Sequence, residues 1–218
     1  MRPILALDVA AGPACVCLMM EDGSVFSAQG DSGKQHSQTI LPLIQGVLSE
    51  AHIDWKDLKM LAFGQGPGSF TGLRIGAAIL SGINASLQLP VWGMSSLAIT
   101  SLQAGVKADA EDDVWVLEDA RAGEVFAGYY RQGVAVVQDE CREWATMGEV
   151  VAGQYVAHAD APIALEGWQR LPLLRTRVDA MVTYIKQYEE GLVTSSLGHW
   201  AEPVYLQLSQ AEKNLKHG

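Results

Sequence analysis

Apolar residues open the chain in short runs. Ile4–Leu7 ends at Asp8, Ala14–Met20 follows the turn Ala11-Gly12-Pro13, and Ser24–Ala28 alternates polar and apolar after Asp22-Gly23. Runs this short, separated by glycine and proline turns, predict an antiparallel meander of three strands. The period then changes. Ile40, Leu41, Leu43, Ile44, Val47, Leu48 and Ala51 follow the i, i+3, i+4, i+7 spacing of a helix over about Ser37–Ala51, with Pro42 tolerated in its first turns. Leu58–Phe63 reads as a strand, Gly72–Leu87 as a second helix, Pro90–Gly93 as a short strand, and Ser95–Gly105 as a third helix capped by Ser95 or Ser96. Val106–Asp113 is polar and acidic and marks the expected boundary between two lobes. Val114–Leu117 and Glu124–Tyr130 predict strands around the turn Asp119–Gly123, and Asp179–Glu190 predicts a helix. Residues 134–172 are poorly periodic and read as mixed strand and loop. The expected division is an N-terminal lobe over 1–105 and a smaller C-terminal lobe over 106–218, with the segment from about 205 to 218 packing back on the first lobe.

Composition narrows the function. Acidic residues outnumber basic ones 25 to 15 in a chain of 218 residues, a net charge of −10. Gripping nucleic acid unaided requires a dense Lys/Arg surface, which this chain lacks, so autonomous DNA or RNA binding is not expected. Charged residues make up 18% of the chain, below the roughly 25% of average domains, which hints at apolar surface covered by a partner. Three cysteines, an odd number without a CxxC pair, argue against a disulfide framework. Cys15 and Cys17 fall on one face of a strand and read as core thiols. Asp8 interrupts any leader-like apolar core, and no stretch approaches the roughly 20 apolar residues of a membrane span. These features predict a cytoplasmic protein with no membrane contact.

The most informative stretch is Gly64-Gln-Gly-Pro-Gly-Ser-Phe-Thr-Gly-Leu-Arg-Ile-Gly76, between a predicted strand and helix. That geometry cradles phosphates through free N–H groups at a helix start. The spacing nevertheless matches neither the P-loop nor the G-x-G-x-x-G fingerprint. The competing reading is a tight glycine loop that lets the helix pack closely. In that helix Gly72 and Gly76, like Ala78 and Gly82, stand four apart. Its large apolar residues Leu73, Ile75, Ile79, Leu80, Ile83 and Leu87 cover a wide arc, which predicts burial on two sides, one against its own sheet and one against a partner.

Gly66-Pro67-Gly68-Ser69-Phe70-Thr71-Gly72-Leu73-Arg74-Ile75-Gly76 resembles the signature of the bacterial TsaB (YeaZ) family. Ile4–Asp8, His36–Pro42, Asp119–Glu124 and Glu202–Leu206 are similar to other segments of that family, in the expected order. The resemblance implies an α/β fold of ASKHA type, related to actin, Hsp70 and sugar kinases, with two ribonuclease-H-like lobes. It implies a subunit that pairs with TsaD and supports threonylcarbamoyl transfer to adenosine 37 of ANN-decoding tRNAs, with TsaE docking on the pair and a homodimer forming when TsaD is absent. No cofactor is expected within the chain; the resemblance leaves room for a nucleotide at the heterodimer interface. The two predicted helices supply the expected partner surface, at Ile40, Leu41, Ile44, Leu48, Gly72, Leu73, Arg74, Gly76, Ile79 and Ile83.

No catalytic machinery is expected. TsaD-like enzymes hold a metal with a His-x-x-x-His pair, and here Ile40 stands four residues after His36. Asp8 occupies the place of the ASKHA acid that helps hold magnesium and phosphate. The following turn, with Pro13 and no Ser or Thr, makes a degenerate phosphate site. Arg74, two residues into the helix, faces the unfavourable end of the dipole and so is expected to pair with a partner carboxylate, a phosphate or a local acid. Asp119, Arg121 and Glu124 are expected to form an ion network at the second-lobe turn. Gln207 departs from the family pattern, which carries arginine there. The competing function is an autonomous ATP-dependent ASKHA enzyme of small-molecule kinase type.

Overall fold

The computed structural model describes residues 2–31, 36–104, 113–193 and 197–207. The first sheet begins as the meander β1 (Ile4–Asp8), β2 (Cys15–Met19) and β3 (Val25–Gln29). It continues through α1 (His36–Glu50), β4 (Met60–Gly66), α2 (Phe70–Leu87), β5 (Val91–Ser95) and α3 (Ser96–Gln103). β1 pairs antiparallel with β2 and parallel with β4, and β4 is parallel to β5. The chain then builds β6 (Val114–Arg121), β7 (Glu124–Arg131), β8 (Val134–Glu143), β9 (Gln154–Val156) and β10 (Gln169–Arg170), followed by α4 (Arg177–Glu189) and β11 (Leu197–Gly198).

The strand orders are β11-β5-β4-β1-β2-β3 and β10-β9-β6-β7-β8. Without β11 they are the same pattern, with β6 to β10 taking the places of β1 to β5. The ribonuclease-H-like sheet therefore occurs twice, the ASKHA-type arrangement, although no repeat is visible in the sequence. The second copy has lost its first two helices; a short 3₁₀ turn over Trp144–Glu149 follows β8 instead. The weak pattern over 134–172 has a physical cause. The N-terminal half of β8 is exposed on both faces, and β9 and β10 span three and two residues.

α1 and α2 cover one face of the first sheet, over a core that includes Leu5, Leu7, Ile40, Ile44, Phe63, Leu73 and Leu80. Its other face shares a core with the second sheet, built from Ala6, Cys15, Cys17, Trp92, α3, α4, Val116, Phe126 and Tyr130. Burial pushes both core thiols up to about 12. Trp92 stacks on Tyr188 of α4 with ring centroids 4.1 Å apart. The boundary expected at 106–113 lies almost wholly outside the described residues, as does the tail beyond 207. α2 corrects one expectation: it is long and apolar enough, by composition, to cross a membrane. Its buried side packs on the chain's own sheet, as a core helix does.

Candidate functional site

A cleft of about 550 Å³ opens between the two sheets. Its first-lobe wall is the turn Ala10–Gly12 and the signature loop Pro67–Thr71. Its second-lobe wall is Glu118–Arg121 and His158, with Gln207 at the edge. This is where a phosphate-binding loop would act.

Asp8 ends β1 beneath this cleft, fully buried. Its Oδ1 accepts from Arg177 Nε at 2.9 Å and from the Ala10 N–H at 3.2 Å; its Oδ2 accepts from Ser96 Oγ at 2.8 Å. Arg177, from the first turn of α4, also donates to Thr100 Oγ1, Gln103 Oε1 and the Ser96 carbonyl. Burial opposes the guanidinium charge, but Asp8 overrides it and holds the Arg177 pKa above its ordinary value. The carboxylate is thus neutralised by an internal cation. The donor set suits arginine and leaves a magnesium–phosphate group no free carboxylate oxygen at this place. Among the described residues no group of three His, Cys, Asp or Glu side chains could hold a metal.

The signature loop is built by close contact. Gly66 has φ +101°, a left-handed value that side chains resist. A Cβ on Gly72 would stand 2.6 Å from the Val9 carbonyl oxygen, and one on Gly76 2.7 Å from Val9 Cγ2. The loop glycines therefore let α2 lie on the end of β1, as the packing reading proposed. Ser69 caps α2 by accepting from the Gly72 N–H at 3.2 Å, and its own N–H donates to the Ala10 carbonyl at 2.8 Å. The second small-residue pair faces outward: Ala78 is exposed and nothing lies within 4 Å of a Cβ on Gly82.

The expected partner surface needs correction. Ile40, Ile44, Leu48, Gly72, Leu73 and Gly76 are buried within the chain, because the helices use those positions to cover their own sheet. Ile79 and Ile83 are half-buried, and Leu41 and Arg74 are exposed. The Arg74 guanidinium lies 3.9 Å from the centre of the Phe70 ring, which packs against Tyr205. No carboxylate pairs with Arg74 among the described residues. Segment 199–205 runs antiparallel along α2. Asn84 Nδ2 donates to the His199 carbonyl, Ser81 Oγ accepts from the Ala201 N–H, and the Val204 N–H donates to the Gln65 carbonyl.

At the second-lobe turn the contacts seen among the described residues are hydrogen bonds, where an ion network was expected. Asp119 accepts from the Arg121 backbone N–H and from Trp144 Nε1. Arg121, Ala122 and Gly123 all have left-handed φ, which closes the hairpin. Gln207 donates to the Glu124 carboxylate and to the Ala120 carbonyl, tying the tail to this turn. Glu118 and His158 Nδ1 meet at 2.5 Å in the cleft wall. The side chain of His36 lies outside the described residues. Sequence reasoning missed Arg177, Ser96 and Asn84. The available signal for Arg177 was the one that flagged Arg74, an arginine in the first turn of a helix.

The comparisons agree with this architecture. The family model described as "TsaD: tRNA N6-adenosine threonylcarbamoyltransferase" matches residues 30–164. The tRNA threonylcarbamoyladenosine biosynthesis protein TsaB of Escherichia coli K12 is 32% identical over 97% of both chains. TsaB of Haemophilus influenzae is 30% identical over 98% of this chain and 87% of its own. The structure of YeaZ from Pseudomonas aeruginosa aligns with a TM-score of 0.70 at 27% identity, covering 94% of this chain and all of that one. With the doubled sheet, the signature loop and full-length relatives in agreement, the chain belongs to the TsaB (YeaZ) family of tRNA threonylcarbamoyladenosine biosynthesis proteins.

Proposed function

We propose that the chain is a non-catalytic subunit that pairs with TsaD and holds it in the geometry for threonylcarbamoyl transfer to adenosine 37 of ANN-decoding tRNAs. The observation that carries the reading is the outer face of α2. Arg74, Ala78 and Gly82 are exposed along an apolar helix that stays largely unburied, Tyr205 of the C-terminal segment packs beside Phe70 and Arg74, and Leu41 is exposed on α1. Small residues let a partner helix approach closely, and the apolar flanks give it surface to bury. A standard interface buries roughly 800 Å² per partner. The engagement of Asp8 by Arg177 supports the non-catalytic part of the reading. TsaE docks on the pair, tRNA is contacted mainly by TsaD given this chain's charge, any nucleotide sits at the heterodimer interface, and a second copy takes TsaD's place when TsaD is absent.

The test mixes the chain with TsaD of the same organism and follows mass by size exclusion with light scattering. Ala78→Glu is the informative variant, because Ala78 is exposed; Ile79→Glu would also disturb the core beneath α2. A one-to-one complex lost in Ala78→Glu is the expected result. No complex with wild type, together with Mg-ATP turnover by the isolated chain, would favour the autonomous kinase.

A further inference from the structure

Arg177 lies 169 residues from Asp8 in sequence, on a helix formed after the second sheet is complete. Two routes lead from its guanidinium to the loop that launches α2. On the first, Asp8 Oδ1 accepts from Arg177 and from the Ala10 N–H, and the Ala10 carbonyl accepts from the Ser69 N–H, the N-cap of α2. On the second, Asp8 Oδ2 accepts from Ser96 Oγ, which itself accepts from the Gly66 N–H at 3.2 Å. Both ends of the segment Gly66–Ser69 are thus tied to one buried carboxylate, and that carboxylate is held by one arginine.

We propose that Arg177 is a positioning residue for the partner-binding helix: by fixing Asp8 it sets the signature loop and the start of α2, although it is buried beneath them. The inference rests on the reading of α2 as the TsaD-facing helix. A planar fork suits this task better than an ammonium group. It reaches Asp8, Thr100, Gln103 and the Ser96 carbonyl at once, and Lys could neutralise Asp8 without spanning all four.

The experiment compares wild type, Arg177→Met, Arg177→Lys and the double variant Asp8→Asn/Arg177→Met under native conditions. Amide hydrogen exchange is read across 66–73 with β2 amides as internal reference, and the Kd for TsaD is measured by calorimetry. In Arg177→Met the loop amides should exchange about tenfold faster relative to β2, and the Kd should weaken about tenfold, because a buried carboxylate has lost its counter-charge. Arg177→Lys should recover part of both. The double variant should recover global stability but keep the fast loop, since Asn offers one oxygen where the two routes use two; it carries the comparison if Arg177→Met does not fold. Equal acceleration at β2 and the loop would make Arg177 a general stabiliser and overturn the proposal, as would unchanged loop exchange with unchanged Kd. If wild type does not bind TsaD, the reading of α2 fails by itself, and the exchange data still decide whether Arg177 sets the loop.

Discussion

A Cβ built on Gly68 would stand 2.4 Å from the carbonyl oxygen of Ala10, and 2.7 Å from its Cβ. Both obstacles belong to the turn after β1, which is itself held by Asp8 and by the Ser69 N–H, so neither can give way cheaply. Gly68→Ala should cost about 2 kcal/mol, in the range of core overpacking. Gly82→Ala within α2 meets nothing within 4 Å and should gain about 0.5–1 kcal/mol from helix propensity. Urea midpoints of the two variants, measured side by side, check the opposite signs. A destabilised Gly82→Ala would mean the outer face is crowded.

Arg74 is held over Phe70 without a carboxylate of its own chain among the described residues. An exposed cation–π contact contributes about 0.5–1 kcal/mol. Arg74→Ala should therefore lower thermal stability only slightly, while weakening TsaD binding by a larger factor if the guanidinium meets an acid across the interface. Titrating the variant against TsaD at low and at high salt separates the two: an interfacial ion pair loses its advantage as salt rises.

Much of this fold was legible because its elements are short and locally coded. The meander, both outer helices and α4 follow from period and turn chemistry, and the ends of α1, α2 and α4 differ from expectation by a residue or two. The signature loop was legible as a packing device because glycine spacing reports backbone approach. Other features depend on contacts that sequence distance hides. The duplicated sheet order depends on strands of two and three residues with no period of their own. The Asp8–Arg177 pair closes over a whole intervening lobe. Ile40, Ile44 and Leu48 have the same apolar chemistry whether they cover a sheet or a partner, so only the observed packing assigns them inward.

Asn84 is 3% exposed in α2, and its side chain carries three hydrogen bonds: to the Leu89 carbonyl, from the Leu89 N–H and to the His199 carbonyl. It closes the helix end and anchors the C-terminal segment together. Asn84→Ala removes three part-buried hydrogen bonds, each contributing about 0.5–1.5 kcal/mol net, so a loss of about 2–3 kcal/mol is expected. The local consequence is more specific. Limited proteolysis should cut between Leu197 and Glu202 faster in the variant than in wild type, with the two sheets still resistant. Uniformly faster cutting throughout the chain would show that the loss is global.

Cys15 and Cys17 point into the core shared by the two sheets, with thiols pushed up to about 12, first by burial and then by the neighbouring Asp8 for Cys15 and by Cys15 for Cys17. In the unfolded chain each thiol ionises near its ordinary value of 9.0. Between pH 9 and 12 the unfolded state therefore binds fewer protons than the folded state, and stability falls as pH rises through that window. Burial raises Tyr184 in the same core to about 12 as well, from an ordinary 10.0, adding to the fall from pH 10 upward. Below pH 9 none of these groups contributes a slope. Urea midpoints taken from pH 7 to 11 should be flat to about 9 and then decline, and the decline should be shallower in Cys15→Ala/Cys17→Ala. At pH 8, iodoacetamide should label the half-buried Cys141 of the folded chain well before either core thiol. Labelling of Cys15 or Cys17 at the rate of Cys141 would mean that the interlobe core opens on the timescale of the reaction.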